Sequence, residues 1–213
     1  MFELADIHDY KYIILENPNL NGLTVTSPFK QTIIPYITLL SDTAQQIGAV
    51  NVIDIKRKNH QIELYGYNTD YWGFEQALKK QLNGNEQYAI VLGNGGAAKA
   101  VEFVLHTLGF QYVLVSRTKS TKTITYNELS DNLLKKADII INATPLGLFP
   151  NVNTCPEINY DCLSPKHLLF DLNYNPTMTL FMQKGYQQGA RVVNGYDMLC
   201  FQADKAWTIW NKN

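Results

Sequence analysis

The most constraining feature of this sequence is a junction. Tyr88-Ala89-Ile90-Val91-Leu92, five residues without polar alternation, run directly into Gly93-Asn94-Gly95-Gly96-Ala97-Ala98, and a helical pattern follows to Leu108, ended by Gly109. An apolar run this short reads as a strand covered on both faces. The same rhythm then repeats. Strands are expected at Tyr112–Val115, Ala137–Asn142, His167–Leu172 and Arg191–Val193, with helices at Glu128–Lys136 and Thr177–Gln188 between them. A last helix, Tyr196–Trp210, carries Trp207 and Trp210 as core or interface residues. Strands alternating with helices build a parallel sheet with helices on both faces.

The residues before Tyr88 follow a different pattern. Met1–Leu4 reads as a strand start, and residues 8–16 as a helix stopped at Asn17-Pro18. Gly22–Thr26 reads as a short strand running into Ser27-Pro28, and residues 29–47 as two short helices broken at Pro35 and ended near Gly48. Val50–Lys56 and Gln61–Tyr65 flank the polar Arg57-Lys58-Asn59-His60, a hairpin signal. Asn68-Thr69-Asp70 offers caps for a helix to about residue 82, and Asn83-Gly84-Asn85 marks a boundary. The expected fold is therefore α/β with two domains. A small α/β domain spans residues 1–75 plus 196–213, and a Rossmann-type parallel-sheet domain spans 76–195.

With a formal net charge of −1, the chain has no global positive field to hold nucleic acid or an anionic membrane. It shows no bilayer-length apolar run and no leader pattern, so a cytoplasmic protein is the default. Cys155, Cys162 and Cys200 are odd in number and widely spaced, which fits a reducing compartment rather than a disulfide framework. His8, His60, His106 and His167 stand singly and no CxxC occurs, so no metal site is expected.

The loop fits G-x-G-x-x-A. Gly93 allows the tight turn, Gly95 lets the backbone approach a pyrophosphate, and small Ala98 lets helix and strand pack closely. Gly93, Asn94, Gly95, Gly96 and Ala97 are thus candidate phosphate-cradling residues at a helix N-terminus. An NAD-specific fold places an acid about 20 residues on. Here the second strand ends in Ser116-Arg117-Thr118-Lys119. Arg117 can grip a 2′-phosphate with two parallel hydrogen bonds, and Ser116 and Thr118 can add hydroxyls, so NADP is preferred. Asn142–Gly147 and Asp171–Pro176 follow later strands at the same carboxyl edge, where they are either plain turns or cleft lining.

A dehydrogenase also needs a proton donor or acceptor beside the carbonyl oxygen. Lys30, Asn51 and Asp70 form one plausible set, though singly they read as a surface lysine, a strand-entry asparagine and a helix cap. Taken together, Gly22–Lys30, Gly48–Asn51, Gly66–Asp70, Gly93–Ala97, Ser116–Thr118, Asn142–Gly147, Tyr174–Pro176 and Gly195–Gln202 match, in order and spacing, the G-x-N-V-T-x-P-x-K, G-A-V-N, G-x-N-T-D, G-x-G-G-A, N-R-T, N-A-T-P-x-G, Y-x-P and G-x-x-M-x-x-x-Q segments of one family. The chain resembles shikimate dehydrogenase along nearly its whole length.

The resemblance implies reversible reduction of 3-dehydroshikimate to shikimate with NADPH, on the route to aromatic amino acids. Lys30 and Asp70 would be the catalytic pair, Lys30 giving a proton to the carbonyl oxygen or stabilising its charge and Asp70 orienting Lys30 and binding a ring hydroxyl. Thr26, Asn51 and Gln202 would bind hydroxyls, and Tyr174 would line the substrate site. Thr144 and Gly195 would complete the cofactor side. Thr24 and Ser116 each replace the family's usual asparagine. The family's leading strand and G-x-P-x-x-H-S-x-S-P segment have no counterpart here, from which weak or no activity on shikimate with retained cofactor binding is expected. Such a gap would also leave strand edges open to pairing, a homodimer included. Rival readings are a quinate/shikimate dehydrogenase that uses NAD, a folate one-carbon dehydrogenase, and a catalytically impaired NADP-binding protein.

Overall fold

The computed structural model describes residues 2–58 and 61–212. The first part of the chain forms α1 (Tyr10–Glu16), β1 (Gly22–Thr24), β2 (Leu39–Leu40), α2 (Asp42–Ile47), β3 (Val52–Lys58), β4 (Gln61–Tyr67) and α3 (Asp70–Lys79). Its four strands make a mixed sheet in the order β1-β3-β4-β2. The expected hairpin forms, with Lys58 opposite Gln61, while its turn residues Asn59 and His60 lie outside the described residues. Ser41 caps α2 through its hydroxyl, and Gly48 ends it at φ +68, a conformation that favours glycine.

Three expectations for this part fail. Phe2–Leu4 form no strand, and Met1 lies outside the described residues. The first of the two helices expected in residues 29–47 is a series of turns and one 3₁₀ turn at Ile34–Tyr36. Thr32, Ile33 and Ile34 are β-branched and Pro35 brings no N–H, so an α-helix has little to propagate it. Leu39–Leu40 instead forms the short strand β2, parallel to Tyr65–Gly66. That pairing is a tertiary contact with no local signature.

The rest of the chain forms β5 (Tyr88–Leu92), α4 (Gly96–Thr107), β6 (Gln111–Ser116), β7 (Thr123–Thr125), α5 (Asp131–Lys136), β8 (Ile139–Asn142), β9 (Leu168–Asp171), α6 (Leu180–Gln187), β10 (Arg191–Val193) and α7 (Tyr196–Trp210). All six strands run parallel in the order β10-β9-β8-β5-β6-β7. The central strands β8 and β9 are buried at every position, which explains their unbroken apolar sequences. The sheet has one strand more than the five expected. β7 is only Thr-Ile-Thr, too short for a pattern, and residues 117–122 connect it to β6 without a helix.

Two helices join the sheets. α3 and α7 pack extensively together, and Phe74 of α3 meets Phe170 of β9 edge-to-face at 5.2 Å. Trp210 at the end of α7 donates its indole N–H to the Ile53 carbonyl of β3 at 3.0 Å and lies across Gly22, where any side chain would collide with it. Trp210 thus packs as expected. Trp207 is 67% exposed and is not a core residue, because it sits on the outer face of α7. Among the described residues no helix is long and apolar enough to cross a membrane.

Candidate active site

The chain leaves β5 on one side of the parallel sheet to make β6, then crosses back to make β8 on the other. A crevice opens at such a reversal, outside the carboxyl ends of the strands. The loops after β5 and β8 meet there. Gly93 has φ +114, and a side-chain carbon on it would lie 3.0 Å from the Ala143 carbonyl oxygen, so only glycine fits. Gly95 is the reverse case: a carbon placed on it meets nothing within 4 Å, which leaves open space over the backbone. The first-turn N–H groups of α4 lack intrahelical acceptors and carry the positive end of the helix dipole. This is a cradle into which a pyrophosphate fits.

Facing it is a polar cluster from the first sheet. Val25 N–H donates to the Asn51 carbonyl at 2.8 Å, Val50 N–H to the Lys30 carbonyl at 2.7 Å and Asn51 N–H to the Tyr67 carbonyl at 3.0 Å. These backbone bonds bring three separate sequence segments to one place. Lys30 Nζ lies 2.6 Å from Asp70 Oδ2, with the two side chains 15% and 7% exposed. Asn51 Nδ2 donates to Asp70 Oδ1 at 2.8 Å and to Thr69 Oγ1 at 3.0 Å, and its Oδ1 accepts from Thr69 N–H at 2.6 Å. Gln202 of α7 reaches the same group, its Oε1 accepting from Thr69 Oγ1 at 3.3 Å. A largely desolvated ion pair adds little net stability, so its value lies in what the ammonium can do there. As the ammonium, Lys30 Nζ can give a proton to an oxygen placed in the cleft, and as the neutral amine it can take one back.

Between cradle and cluster lies a cleft of about 470 Å³. Thr26, Lys30, Asn51, Asp70 and Gln202 line one side, and Ala97, Thr144, Tyr174 and Gly195 line the other. All six substrate-side residues expected from sequence are therefore gathered at one cavity. Thr26 is exposed at its mouth and Tyr174 is 43% exposed. Gly195 cannot carry a side chain, because its first carbon would lie 2.1 Å from the Leu172 carbonyl oxygen.

The segment expected to select a 2′-phosphate stands at the same sheet edge. Arg117 and Thr118 are exposed, and Arg117 makes no hydrogen bond or ion pair among the described residues. Lys119 is paired with Glu128. Ser116 is buried, with its hydroxyl donating to the Thr118 carbonyl and, at 3.2 Å, to Thr123 Oγ1. It shapes the turn that presents Arg117. Gly96 also has a neighbour that sequence does not show: a carbon on it would lie 3.0 Å from Lys30 Cβ.

Several residues around the cleft escape sequence reasoning. Thr69 reads as a helix cap, yet its hydroxyl joins Asn51 to Gln202. Met198, Leu148 and Leu172 supply apolar lining from three separate segments. Asp171 opens a stretch that reads as either a turn or cleft lining; it is buried, and burial pushes its carboxyl up to about 6 against the hydrogen bonds of Thr179, Asn173 and Asn142.

Comparison with known proteins agrees with this geometry. Residues 2–53 match the family model described as the shikimate dehydrogenase substrate binding domain. A curated relative from Clostridium beijerinckii, named shikimate dehydrogenase (NADP(+)), is 40% identical over 204 residues, covering 91% of this chain and 73% of the relative. A crystal structure of a shikimate dehydrogenase in complex with NADP+ superposes with a TM-score of 0.85 at 30% identity, covering 99% of this chain and 78% of that one. The Thermus thermophilus shikimate 5-dehydrogenase in complex with NADP(H) and shikimate gives a TM-score of 0.82 at 27% identity, covering 97% and 79%.

Proposed function

This chain belongs to the shikimate dehydrogenase family, and on that premise we propose that it interconverts shikimate and 3-dehydroshikimate with NADP in aromatic amino acid biosynthesis. The observation that carries the reading is the Lys30–Asp70 pair at 2.6 Å, facing the glycine cradle across one cleft. NADP supplies the hydride acceptor when bound, held by Gly93, Asn94, Gly95, Gly96 and Ala97 at the pyrophosphate, with Thr144 and Gly195 on the cleft wall. Arg117 is the group that selects the 2′-phosphate, because it is a guanidinium without a partner among the described residues, where an NAD enzyme needs a carboxylate.

The chain's own residues do the proton work. Lys30 Nζ, as the neutral amine, takes the proton of the shikimate hydroxyl as it becomes a carbonyl, and the ammonium so formed gives it back in the reverse direction. Asp70 holds that ammonium through Oδ2, while Asn51 fixes Oδ1. Thr26, Asn51 and Gln202 offer amide and hydroxyl groups to ring hydroxyls, and Tyr174 borders the ring. Substrate held between the two walls excludes water from the hydride path.

The domain division proposed is residues 1–75 with 196–213, and 76–195; the separation of the strands into two sheets supports it, although α3 runs across the first boundary. The same reading makes this a cytoplasmic protein that handles small molecules rather than nucleic acid. β1 and β2 are the outer strands of the first sheet, and they give a homodimer a place to form. The test is an initial-rate assay at the NADPH absorbance band, with shikimate or quinate and NADP or NAD. Shikimate with NADP is expected to be the preferred combination, and Lys30→Ala to lower kcat by about 10²–10⁴-fold. Equal turnover of quinate with NAD would favour the broader enzyme instead.

A further inference from the structure

Behind the cofactor-side wall of the cleft lies a carboxylate that the reaction does not use. Asp171, the last residue of β9, has no solvent exposure. It is held by neutral donors. Oδ1 accepts from Asn142 Nδ2 and from the Asn173 backbone N–H, each at 3.0 Å, and Oδ2 accepts from Thr179 Oγ1 at 2.5 Å.

Both asparagines pass this anchorage on to the wall. Asn142 Oδ1 accepts from the Thr144 N–H at 3.0 Å and from Thr144 Oγ1 at 2.6 Å. Asn173 Nδ2 donates to the carbonyls of Thr144 at 3.0 Å and Leu146 at 3.1 Å, and the Asn173 carbonyl accepts from Gly195 N–H at 3.0 Å. Thr144 in turn abuts the cradle, since a carbon on Gly93 would lie 3.2 Å from Thr144 Cγ2. One carboxyl group therefore connects Thr144, Gly195 and, by contact, Gly93.

We propose that Asp171 is a positioning residue for the cofactor: through Asn142 and Asn173 it fixes the loops that carry Thr144 and Gly195 against the glycine cradle. The inference rests on the cofactor reading of this cleft. The role is one of shape rather than charge. Among the described residues the hydrogen-bond partner of Oδ2 is the Thr179 hydroxyl, which accepts as readily as it donates. A protonated carboxyl or an amide nitrogen at that place would donate to Thr179 Oγ1, while Oδ1 went on accepting from both asparagines. Asp171→Asn keeps the framework, and Asp171→Ala removes it.

The test is titration of the full chain with NADPH, followed by the fluorescence of the reduced nicotinamide, for the unaltered protein, Asp171→Asn and Asp171→Ala. The expected result is a Kd within about threefold of the original for Asn and at least about 10-fold weaker for Ala, with the shikimate KM at saturating NADP changed less than about twofold in both. Should Asp171→Ala not fold, Asn142→Ala cuts the same link from the other side and is read in the same way. An Ala variant that binds like the unaltered protein would overturn the positioning role, as would an Asn variant as weak as Ala. Failure of the unaltered protein to bind NADPH would instead overturn the cofactor reading itself.

Discussion

Gly96→Ala tests whether the two halves of the cleft are held in register by direct contact. Gly96 opens α4, and its new carbon would lie 3.0 Å from Lys30 Cβ and 3.4 Å from Lys30 Cδ. Ordinary carbon contacts lie at about 3.5–4.0 Å, so the lysine stem must yield by roughly 0.5 Å. It has little freedom to do so, since its carbonyl is bonded to Val50 N–H at 2.7 Å and its Nζ to Asp70 at 2.6 Å. A misplacement of about 1 Å costs about 10²-fold in rate, so half of that predicts a kcat lower by about 10-fold. The overlap costs about 1–3 kcal/mol, and alanine returns about 0.5–1 kcal/mol in the helix, so the variant stays folded. Steady-state kinetics with shikimate and NADP, alongside an NADPH titration, reads the outcome. The expected pattern is reduced kcat with NADPH affinity within about threefold, because Gly95 rather than Gly96 faces the open space. Unchanged kcat would refute the contact, and lost NADPH binding with kcat intact would show that a side chain at Gly96 obstructs the cofactor rather than Lys30.

Arg117→Ala should weaken NADP and NADPH binding by about 10–150-fold, the value of a charge-assisted contact of about 1.5–3 kcal/mol, and leave NAD nearly unaffected. Parallel titrations with the two oxidised cofactors show whether the loss is confined to the phosphorylated one. For Asp171, folding raises the carboxyl from 3.8 to about 6. The folded state then binds the extra proton, so the cost of ionising it is absent below about pH 4, grows between about pH 4 and 6 and is complete above that. At about 1.36 kcal/mol per unit the cost is about 3 kcal/mol. Asp171→Asn should therefore raise Tm at pH 8 by several degrees and give no gain at pH 4, as thermal denaturation at the two values would show. A Tm at pH 8 equal to or below that of the unaltered protein would count against the desolvation argument.

Much of this molecule is legible in its sequence because the relevant signals are local. The strand-loop-helix corner at Tyr88–Thr107, the hairpin arms and α7 each carry their own periodicity and breakers, and the structure forms them close to the expected bounds. β2 and β7 are not legible, because two or three residues hold no period, and pairing with Tyr65–Gly66 or Leu114–Ser116 decides them. Phe2–Leu4 misleads for a related reason: strand propensity without a partner makes no strand. At the site, motif order points to Lys30, Asn51, Asp70 and Gln202, which lie far apart in the chain and meet at one cluster. The Asp171–Asn142–Asn173 framework stays hidden, since an Asp or Asn after a strand looks like any turn until its burial is known.

The central claim is direct hydride transfer between shikimate and NADP at a site whose proton is handled by Lys30. The most direct measurement uses shikimate carrying deuterium on the carbinol carbon that is oxidised, with the product cofactor analysed by mass spectrometry. The account predicts deuterium in the NADPH formed by the unaltered protein, at a rate lowered by about 10²–10⁴-fold in Lys30→Ala. NADPH formed without deuterium, or labelled at the same rate by Lys30→Ala, would contradict it.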